Sequence, residues 1–264
     1  MEAAICIEML FPGMPAVEKI AEIARRGFTN TEFWGWRDKD IEGIASLLRE
    51  KNLRVVNFSG ARKGDLIDRK EHPLVLRDLE ESILAAGRLG TSVLMLLSNE
   101  LGEGGRVLRP RAEIPETGKR AALVEGLALA AEKLPAGMTL VLEPLNTALD
   151  HPGYYLADLG AAASIVREVG DPRLKLLCDF YHQGMMGDDL GMIVDSYLDD
   201  IGHIHIADFP GRNEPGTGRG KWLPLLRRIG ERGWDGFVGF EYSPKDDSGE
   251  SLARIRELWD LVEK

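Results

Sequence analysis

The feature that most constrains the fold of this chain is a regular alternation of short apolar segments with helical patterns. Eight segments have the length and the Val, Ile and Leu content of β-strands: 3–11, 30–36, 54–59, 92–97, 139–142, 174–178, 203–207 and 237–240. Each is followed by a stretch with apolar residues at helical spacing: 14–26, 40–51, 73–89, 115–134, 156–169, 190–199, 222–232 and 251–262. Such alternation is typical of a parallel α/β architecture.

The number of units narrows the architecture further. Eight strand–helix units share 264 residues, which is the size of a closed (β/α)8 barrel, the TIM barrel, built as a single domain over residues 1–264. A doubly wound open sheet is the alternative. It is disfavoured because the first strand leads into Phe11-Pro12-Gly13-Met14-Pro15 rather than into a glycine-rich phosphate-binding turn.

Composition excludes several classes of protein. The formal net charge is -10, and no stripe of Lys and Arg is visible, so we expect no nucleic-acid partner. No apolar run reaches the roughly 20 residues of a membrane-spanning helix, so no membrane partner is expected. The N-terminus lacks a secretory signal pattern, and two lone cysteines, Cys6 and Cys178, cannot form a disulfide framework. A cytoplasmic location is the expectation.

Four successive strands of the second half end in a residue that can bind a metal. Glu143, Asp179 and Glu241 directly follow or end their strands, and His205 lies near the end of its own. Side chains alternate along a strand, so each of these residues is expected to point away from the helix layer and into the barrel mouth. Carboxylate-rich sites with one imidazole suit a divalent cation such as Mg, Mn, Co or Zn. The alternative is that these are ordinary polar residues that cap the following helices.

Three carboxylates exceed the charge of one divalent cation, so a basic group is expected nearby, and Arg212 and His182 are the candidates. Four long loops also follow strands and should gather at the same mouth: 60–72, 99–114, 146–155 and 210–221. Within the second of them, Gly102-Glu103-Gly104-Gly105 is either a mobile flap or a solvated loop tip.

Five other residues near the strand ends and loops are of interest. Glu32 could contact substrate or form a salt bridge, and His151 could line the mouth or only shape a turn. His203 is expected to be a hydrogen-bonded core histidine, and Trp34 either packs in the core or shields the site from water. His72, just before a proline, is expected at the surface where a helix begins.

These motifs resemble a known superfamily. The segments Glu143–Asn146, Asp179–His182, His203–Asp208 and Gly239–Tyr242 resemble the xylose-isomerase-like barrels, a superfamily of sugar isomerases and epimerases, and are nearest to its hydroxypyruvate isomerase branch. The resemblance covers essentially the whole chain. It implies one divalent metal (Mn, Mg or Co), bound by Glu143, Asp179, His205 and Glu241.

The resemblance also implies roles for particular side chains. Glu143 and Glu241 would form the acid/base pair, and His182 and Arg212 would hold the substrate. In the ketose 3-epimerase branch a second Glu lies six residues after the strand-five Glu, and here that position is Leu149, which disfavours epimerisation. The bacterial hydroxypyruvate isomerases often carry Gln at the position of His205.

The implied activity is the isomerisation of a small 2-hydroxy carbonyl compound through a metal-stabilised enediolate. Hydroxypyruvate to tartronate semialdehyde is the first expectation, with a 2-oxo-tetronate or keto-sugar as relatives; the partner is thus a small sugar or 2-oxo acid. A ketose 3-epimerase, a sugar dehydratase or lyase, a metal-dependent nuclease and a non-catalytic binding barrel are the alternatives. Family members associate, which implies a homodimer or homotetramer.

Overall fold

The computed structural model describes residues 1–264 and contains eight short strands. They are β1 (Glu2–Cys6), β2 (Asn30–Glu32), β3 (Arg54–Ser59), β4 (Val93–Leu96), β5 (Thr139–Leu142), β6 (Leu174–Asp179), β7 (Ile201–Ile206) and β8 (Phe237–Phe240). All neighbouring strands pair in parallel, in the order in which they occur along the chain. The register between β1 and β8, in which Glu2 lies opposite Phe237, closes the sheet.

Nine α-helices accompany the strands. They are α1 (Ala16–Arg25), α2 (Ile41–Lys51), α3 (His72–Leu89), α4 (Glu116–Glu132), α5 (Leu159–Val169), α6 (Phe180–Met186), α7 (Leu190–Tyr197), α8 (Trp222–Glu231) and α9 (Ser248–Val262). None of them combines the length and the apolarity that crossing a membrane requires. The closed parallel sheet with flanking helices confirms the predicted (β/α)8 barrel and excludes the open sheet.

Two separate sets of apolar residues make up the core. Val93, Met95, Val141 and Leu177 form a small cluster of their own, whereas 62 buried residues, including alternate positions on the same strands, form the large cluster with the helices. Because side chains alternate along a strand, the small cluster fills the inside of the barrel. Residues that continue the parity of Val141 and Leu177 therefore also point inward.

The first two strands are shorter than predicted. β1 ends at Cys6 rather than Phe11, and β2 ends at Glu32 rather than Trp36. Phe11 has a positive φ of 46°, which breaks the extended backbone, and residues 8–13 form turns. The apolar residues beyond these strands therefore belong to loops over the barrel mouth. Apolar patterning alone does not distinguish such loops from strands.

Helix α6 is absent from the sequence-based prediction. It begins directly after β6, with no intervening loop, and has only seven residues. A helix of this length shows no clear hydrophobic period. Its position is important because it carries His182 next to the end of β6.

Candidate active site

Four ionisable side chains converge at the carboxyl end of the second half of the barrel. Glu143, Asp179, His205 and Glu241 each offer one ligand atom, and these atoms all lie within 4.8 Å of one another. The pairing register accounts for part of this, since Asp179 lies opposite His205. Glu143 and Glu241 directly follow β5 and β8, and their backbone N–H groups still bond to the neighbouring strands. All four residues are buried.

Asp179 has two local functions because it is both the last residue of β6 and the N-cap of α6. Its Oδ1 accepts the backbone N–H of Tyr181 at 2.8 Å, as an N-cap carboxylate does. Its Oδ2 has no hydrogen-bond partner and faces the cluster. The capping interpretation and the ligand interpretation of this residue are thus compatible, one for each oxygen.

Glu241 is surrounded by donors. Its Oε1 accepts the indole N–H of Trp34, and its Oε2 lies 2.8 Å from the Arg212 guanidinium and 3.2 Å from Nδ1 of His205. Burial by itself would raise the pKa of this carboxyl. Arg212 and His205 outweigh burial and hold the pKa well below its ordinary value.

The other two carboxyls lack such compensation. Burial, together with the nearby charge of Glu241, raises the pKa of Glu143 well above its ordinary value. Burial raises that of Asp179 to about 6, although Arg212 and His205 oppose the shift. These directions reflect negative charge crowded into a buried cluster.

The donor atoms of the cluster fit a divalent cation. Glu143 Oε1, Asp179 Oδ2 and His205 Nδ1 are buried and have no hydrogen-bond partner. Buried polar atoms of native proteins are nearly always satisfied, so unsatisfied acceptors that converge on one point indicate a missing positive partner. Three carboxylates with one imidazole are a donor set suited to Mg, Mn, Co or Zn.

His182 is a neutral imidazole whose tautomer the neighbouring amide determines. The Oδ1 atom of Asn146 accepts the backbone N–H groups of Leu149 and Asp150, so its Nδ2 faces His182. That amide nitrogen lies 2.7 Å from Nδ1 of His182, which must accept. The proton is therefore on Nε2, 3.5 Å from Asp179 Oδ2. Burial and the nearby Arg212 hold the pKa of His182 well below its ordinary value.

Arg212 reaches the cluster from the loop after β7. Its backbone has a positive φ of 52°, an uncommon conformation for a residue with a side chain. The guanidinium lies 2.8 Å from Glu241 and 3.6 Å from Asp179, above the ring of Tyr181. Arg212 therefore supplies the positive charge that the sequence predicted near the carboxylates.

The cluster opens into a cavity of about 710 Å³. Of the sequence-predicted site residues, Glu143, Glu241, His182, Arg212 and His151 line this cavity. Asp179 and His205 belong to the cluster but do not line the cavity. Segments of all four long loops contribute to the wall, including residues 99–105.

His151 connects two of these loops. Its Nδ1 lies 2.7 Å from the carbonyl oxygen of Gly105 and donates to it, while its ring packs edge-on against His182. Gly105 belongs to a short 3-10 turn, Glu103–Gly105, within the predicted flap. His151 thus both lines the cavity and fixes the position of the loop above it.

Glu32 lies outside the cavity wall. Its Oε2 is 2.8 Å from Nε2 of His203, and its Oε1 is 3.0 Å from Nε2 of His205. Of the two predicted interpretations of Glu32, this is the salt-bridge geometry, one layer below the cluster. His203 is buried and hydrogen-bonded, as expected.

Some site residues were not evident in the sequence. Arg62 lines the cavity from the loop after β3, and no motif marks it. Asn146 ends the segment Glu143–Asn146 that carries the resemblance, but the sequence did not indicate that it orients His182. Trp34 is partly exposed, lines the cavity and donates its indole N–H to Glu241.

The prediction that His72 lies at the surface is wrong. His72 is 4% exposed, and its Nε2 lies 3.0 Å from the carbonyl oxygen of Leu66. Helix α4 covers the ring at Gly126.

Comparisons with known proteins agree with this architecture. A family model described as Xylose isomerase-like TIM barrel matches residues 13–258. The hydroxypyruvate isomerase of Escherichia coli (strain K12) is 30% identical over 264 residues, which span 93% of this chain and 95% of that protein. A 2-oxo-tetronate isomerase of Cupriavidus necator is 36% identical over 138 residues, 52% of this chain and 53% of that protein.

A solved structure extends the comparison to three dimensions. The crystal structure of an AP endonuclease, family 2, from Brucella melitensis has a TM-score of 0.86 and 27% identity, and the match covers 97% of this chain and 99% of that one. The matched family model and the hydroxypyruvate isomerase that matches along 93% of the chain confirm the resemblance inferred from the motifs. The chain therefore belongs to the xylose isomerase-like TIM barrel family, as an isomerase.

Proposed function

We propose that this isomerase acts on a small 2-hydroxy carbonyl compound in a metal-dependent reaction, with hydroxypyruvate to tartronate semialdehyde as the first candidate. A 2-oxo-tetronate is the second candidate substrate. The observation that carries the proposal is the convergence of three carboxylates and one imidazole in a cluster, of which Glu143 and Glu241 line the cavity. The names of two relatives, a hydroxypyruvate isomerase and a 2-oxo-tetronate isomerase, support this substrate class.

The reaction needs one proton removed and one returned. For hydroxypyruvate, a base takes a proton from the hydroxymethyl carbon, which gives an enediolate, and an acid returns a proton to the neighbouring carbon. The hydroxyl proton of the substrate moves to the former carbonyl oxygen, so the atoms balance. Glu143 and Glu241 line the same cavity from strands three positions apart in the barrel, and we assign them this acid/base work.

Glu143, Asp179, His205 and Glu241 would hold the divalent cation. When bound, such a cation polarises a carbonyl and stabilises the negative charge that develops on its oxygen. The neutral His182, whose Nε2 carries the proton, donates a hydrogen bond to a substrate oxygen. The indole of Trp34 and the loop at residues 99–105 restrict access of water to the reacting carbons.

Arg62 supports an anionic substrate. It is exposed and lines the cavity, and its guanidinium forms no ion pair or side-chain hydrogen bond; its backbone N–H donates to Asp78. Arg212, by contrast, is already bound to Glu241 and Asp179. A guanidinium without a carboxylate partner suits the carboxylate of a 2-oxo acid, since the two groups match in charge and geometry.

Deuterium incorporation tests the reaction class. The protein with Mn or Mg is incubated in D2O with hydroxypyruvate, 2-oxo-tetronates and short ketoses, and the products are followed by NMR. We expect exchange at a carbon next to the carbonyl, together with formation of the isomeric aldehyde. Metal binding without exchange on any 2-oxo acid or ketose would overturn the proposal and leave a binding protein.

Product analysis separates this reaction from related ones that start with the same proton abstraction. Loss of water or cleavage of the substrate would identify a dehydratase or lyase. Inversion at the third carbon of a ketose would identify an epimerase. Leu149, at the position of the second Glu of the epimerase branch, is 60% exposed and lies outside the cavity wall, which argues against the latter.

A further inference from the structure

A buried carboxylate lies between two imidazoles directly below the cluster. Glu32 is 2% exposed, and each of its oxygens contacts Nε2 of a different histidine, at 2.8 Å for His203 and 3.0 Å for His205. Both histidines are also buried, and their rings meet edge to face. Substrate in the cavity does not reach this group, because none of the three lines the cavity wall.

The barrel makes room for this carboxylate by leaving out a side chain. Gly239 of β8 lies opposite His205, and a Cβ atom at Gly239 would overlap the Glu32 carboxylate and lie 2.7 Å from Cδ2 of His205. A glycine inside a strand usually marks such a close approach. The space at Gly239 is thus occupied by the Glu32 side chain and the imidazole it contacts.

The contacts determine which nitrogen of His205 faces the cluster. Oε1 of Glu32 lies 3.0 Å from Nε2 of His205, and Oε2 is hydrogen-bonded to Nε2 of His203 at 2.8 Å. Nε2 of His205 is therefore the ring nitrogen that faces Glu32, in an ion-pair contact rather than an aligned hydrogen bond. Nδ1 is directed to the other side, 3.2 Å from Glu241 Oε2 and 4.0 Å from Glu143 Oε1.

We propose that Glu32, anchored by His203, is a positioning residue that holds the His205 ring with Nδ1 toward the carboxylate cluster. This inference rests on the metal site of the proposed function and assigns Glu32 to the support of that site rather than to substrate. A metal-binding histidine commonly donates its second ring N–H to a carboxylate, and loss of that partner weakens metal affinity by about 10- to 100-fold.

The rival for the same residues is a second cation among Glu32, His203 and His205, whose ligand atoms also lie within 4.8 Å of one another. The 2.8 Å hydrogen bond between Glu32 Oε2 and Nε2 of His203 favours the direct contact, because a cation between these two atoms would replace the ring proton. The number of bound ions decides between the two: one per chain supports the positioning role, and two per chain overturn it.

The first test observes the ring protons in the metal-free protein. In 15N-labelled wild type, we expect the Nε2–H protons of His203 and His205 to be protected from exchange with water, in addition to that of buried His72, which donates to the carbonyl oxygen of Leu66. Glu32→Gln leaves one acceptor oxygen and should retain one of these protons, and Glu32→Ala should lose both. The variant His203→Asn assigns the two signals. If the protons of His203 and His205 both stay protected in Glu32→Ala, the inference is overturned, and this readout requires neither metal nor turnover.

The second test measures metal affinity. Mn²⁺ dissociation constants are compared for wild type, Glu32→Gln and Glu32→Ala, with Asp78→Asn as the control. Asp78 is a buried carboxylate that pairs with Arg37 and belongs to neither group of candidate metal ligands, so its variant should lose stability at unchanged affinity. We expect about tenfold weaker binding for Glu32→Gln and up to about 100-fold for Glu32→Ala.

The outcomes separate this inference from the proposed function. If folded wild-type protein binds no divalent metal, both the proposed function and the metal-positioning role of Glu32 are refuted. Wild-type binding with equal affinity in both Glu32 variants overturns the positioning role and leaves the proposed function intact. Far-UV circular dichroism and thermal unfolding establish that Glu32→Gln, which keeps the shape of the side chain, is folded.

Discussion

At the scale of single residues, the site is built from side chains whose two polar ends have different partners. Asp179 caps α6 with one oxygen and leaves the other free in the cluster. Asn146 binds backbone N–H groups through its oxygen and fixes the tautomer of His182 through its nitrogen. Because each partner removes a rotational choice, the free ends are held in one geometry, which is the requirement for catalysis by positioned groups.

The acid/base assignment predicts the effect of removing either carboxylate. Glu143→Gln and Glu241→Gln should each lower turnover by about 10²- to 10⁴-fold, since the amide cannot accept or return a proton. Solvent deuterium incorporation into hydroxypyruvate measures the loss. Glu125→Gln, which changes an exposed carboxylate paired with Arg69, should leave turnover unchanged. Isomerase activity in the double Gln variant would refute the assignment.

The unpaired guanidinium in the cavity predicts a defect in substrate binding. Arg62→Ala should raise KM for a 2-oxo acid about tenfold, with little change in kcat, because a charge-assisted hydrogen bond to the carboxylate is lost. KM for a short ketose without a carboxylate should not change. The comparison of the two substrates by steady-state kinetics isolates the charge.

Arg37→Ala is the matched control for this variant. Arg37 is a nearby arginine outside the cavity wall that pairs with Asp78 and Glu81 and stacks on Trp36. It should leave KM for both substrates unchanged. An equal rise of KM for the 2-oxo acid and for the ketose in Arg62→Ala would mean that Arg62 does not bind the carboxylate of the substrate.

At the scale of elements, the loops that follow the strands contribute more side chains to the cavity wall than the helices between the strands do. The loop after β4 bends over the cavity, and an ionic network fixes its base: buried Asp65 pairs with Arg109 and Arg111 and accepts the backbone N–H of Glu100. Its tip is held by the bond from His151 to the carbonyl of Gly105. The loop is therefore anchored at both ends over the carboxylates.

A pair of glycine variants tests the contact at the tip. A Cβ atom at Gly105 would lie 2.7 Å from the His151 ring, whereas one at Gly104 would meet nothing within 4 Å, although both residues have positive φ. Gly105→Ala should therefore raise KM severalfold and speed limited proteolysis at residues 100–108. Gly104→Ala shares the backbone strain without the clash and should have the smaller effect. Identical effects in the two variants would show that the contact between His151 and Gly105 does not hold the tip of the loop.

At the scale of the whole molecule, barrel closure brings together residues that are distant in the chain. Glu143 and Glu241 are 98 positions apart, and Trp34 bonds Glu241 from 207 positions away. The cluster concentrates three of the carboxylates of an acidic chain in a buried place. That arrangement costs stability unless a cation compensates it.

Metal binding should therefore stabilise the fold. Mn²⁺ at 100 times its dissociation constant should add about 2.7 kcal/mol to the free energy of unfolding, which raises Tm by several degrees. Chelation should reverse the shift and abolish turnover. Asp179→Asn should remove the shift, since a ligand oxygen is lost. Thermal unfolding with Mg, Mn, Co and Zn measures the effect, and no shift with any of them would contradict the proposed site.

Much of the fold could be predicted from local pattern. The apolar segments around β3 to β8 and most of the helices between them followed from hydrophobic periodicity, and the number of units favoured a barrel of eight over an open sheet. The strand-end positions of Glu143, Asp179 and Glu241 followed from parity. The ends of β1 and β2, the short α6 and the burial of His72 did not, since each depends on what packs against the segment rather than on its own residues.

The sequence by itself determined the parallel (β/α)8 architecture and the parity that turns polar residues inward, because hydrophobic periodicity is a local property of the chain. Only the tertiary structure decided which of these residues meet. It placed Glu32 between the imidazoles of His203 and His205. It also brought Arg62 to the cavity wall without a carboxylate partner, and it fixed the tautomer of His182 through Asn146. The physical reason is that ion pairing and hydrogen bonding depend on distances of a few ångströms, which are set only when the barrel closes.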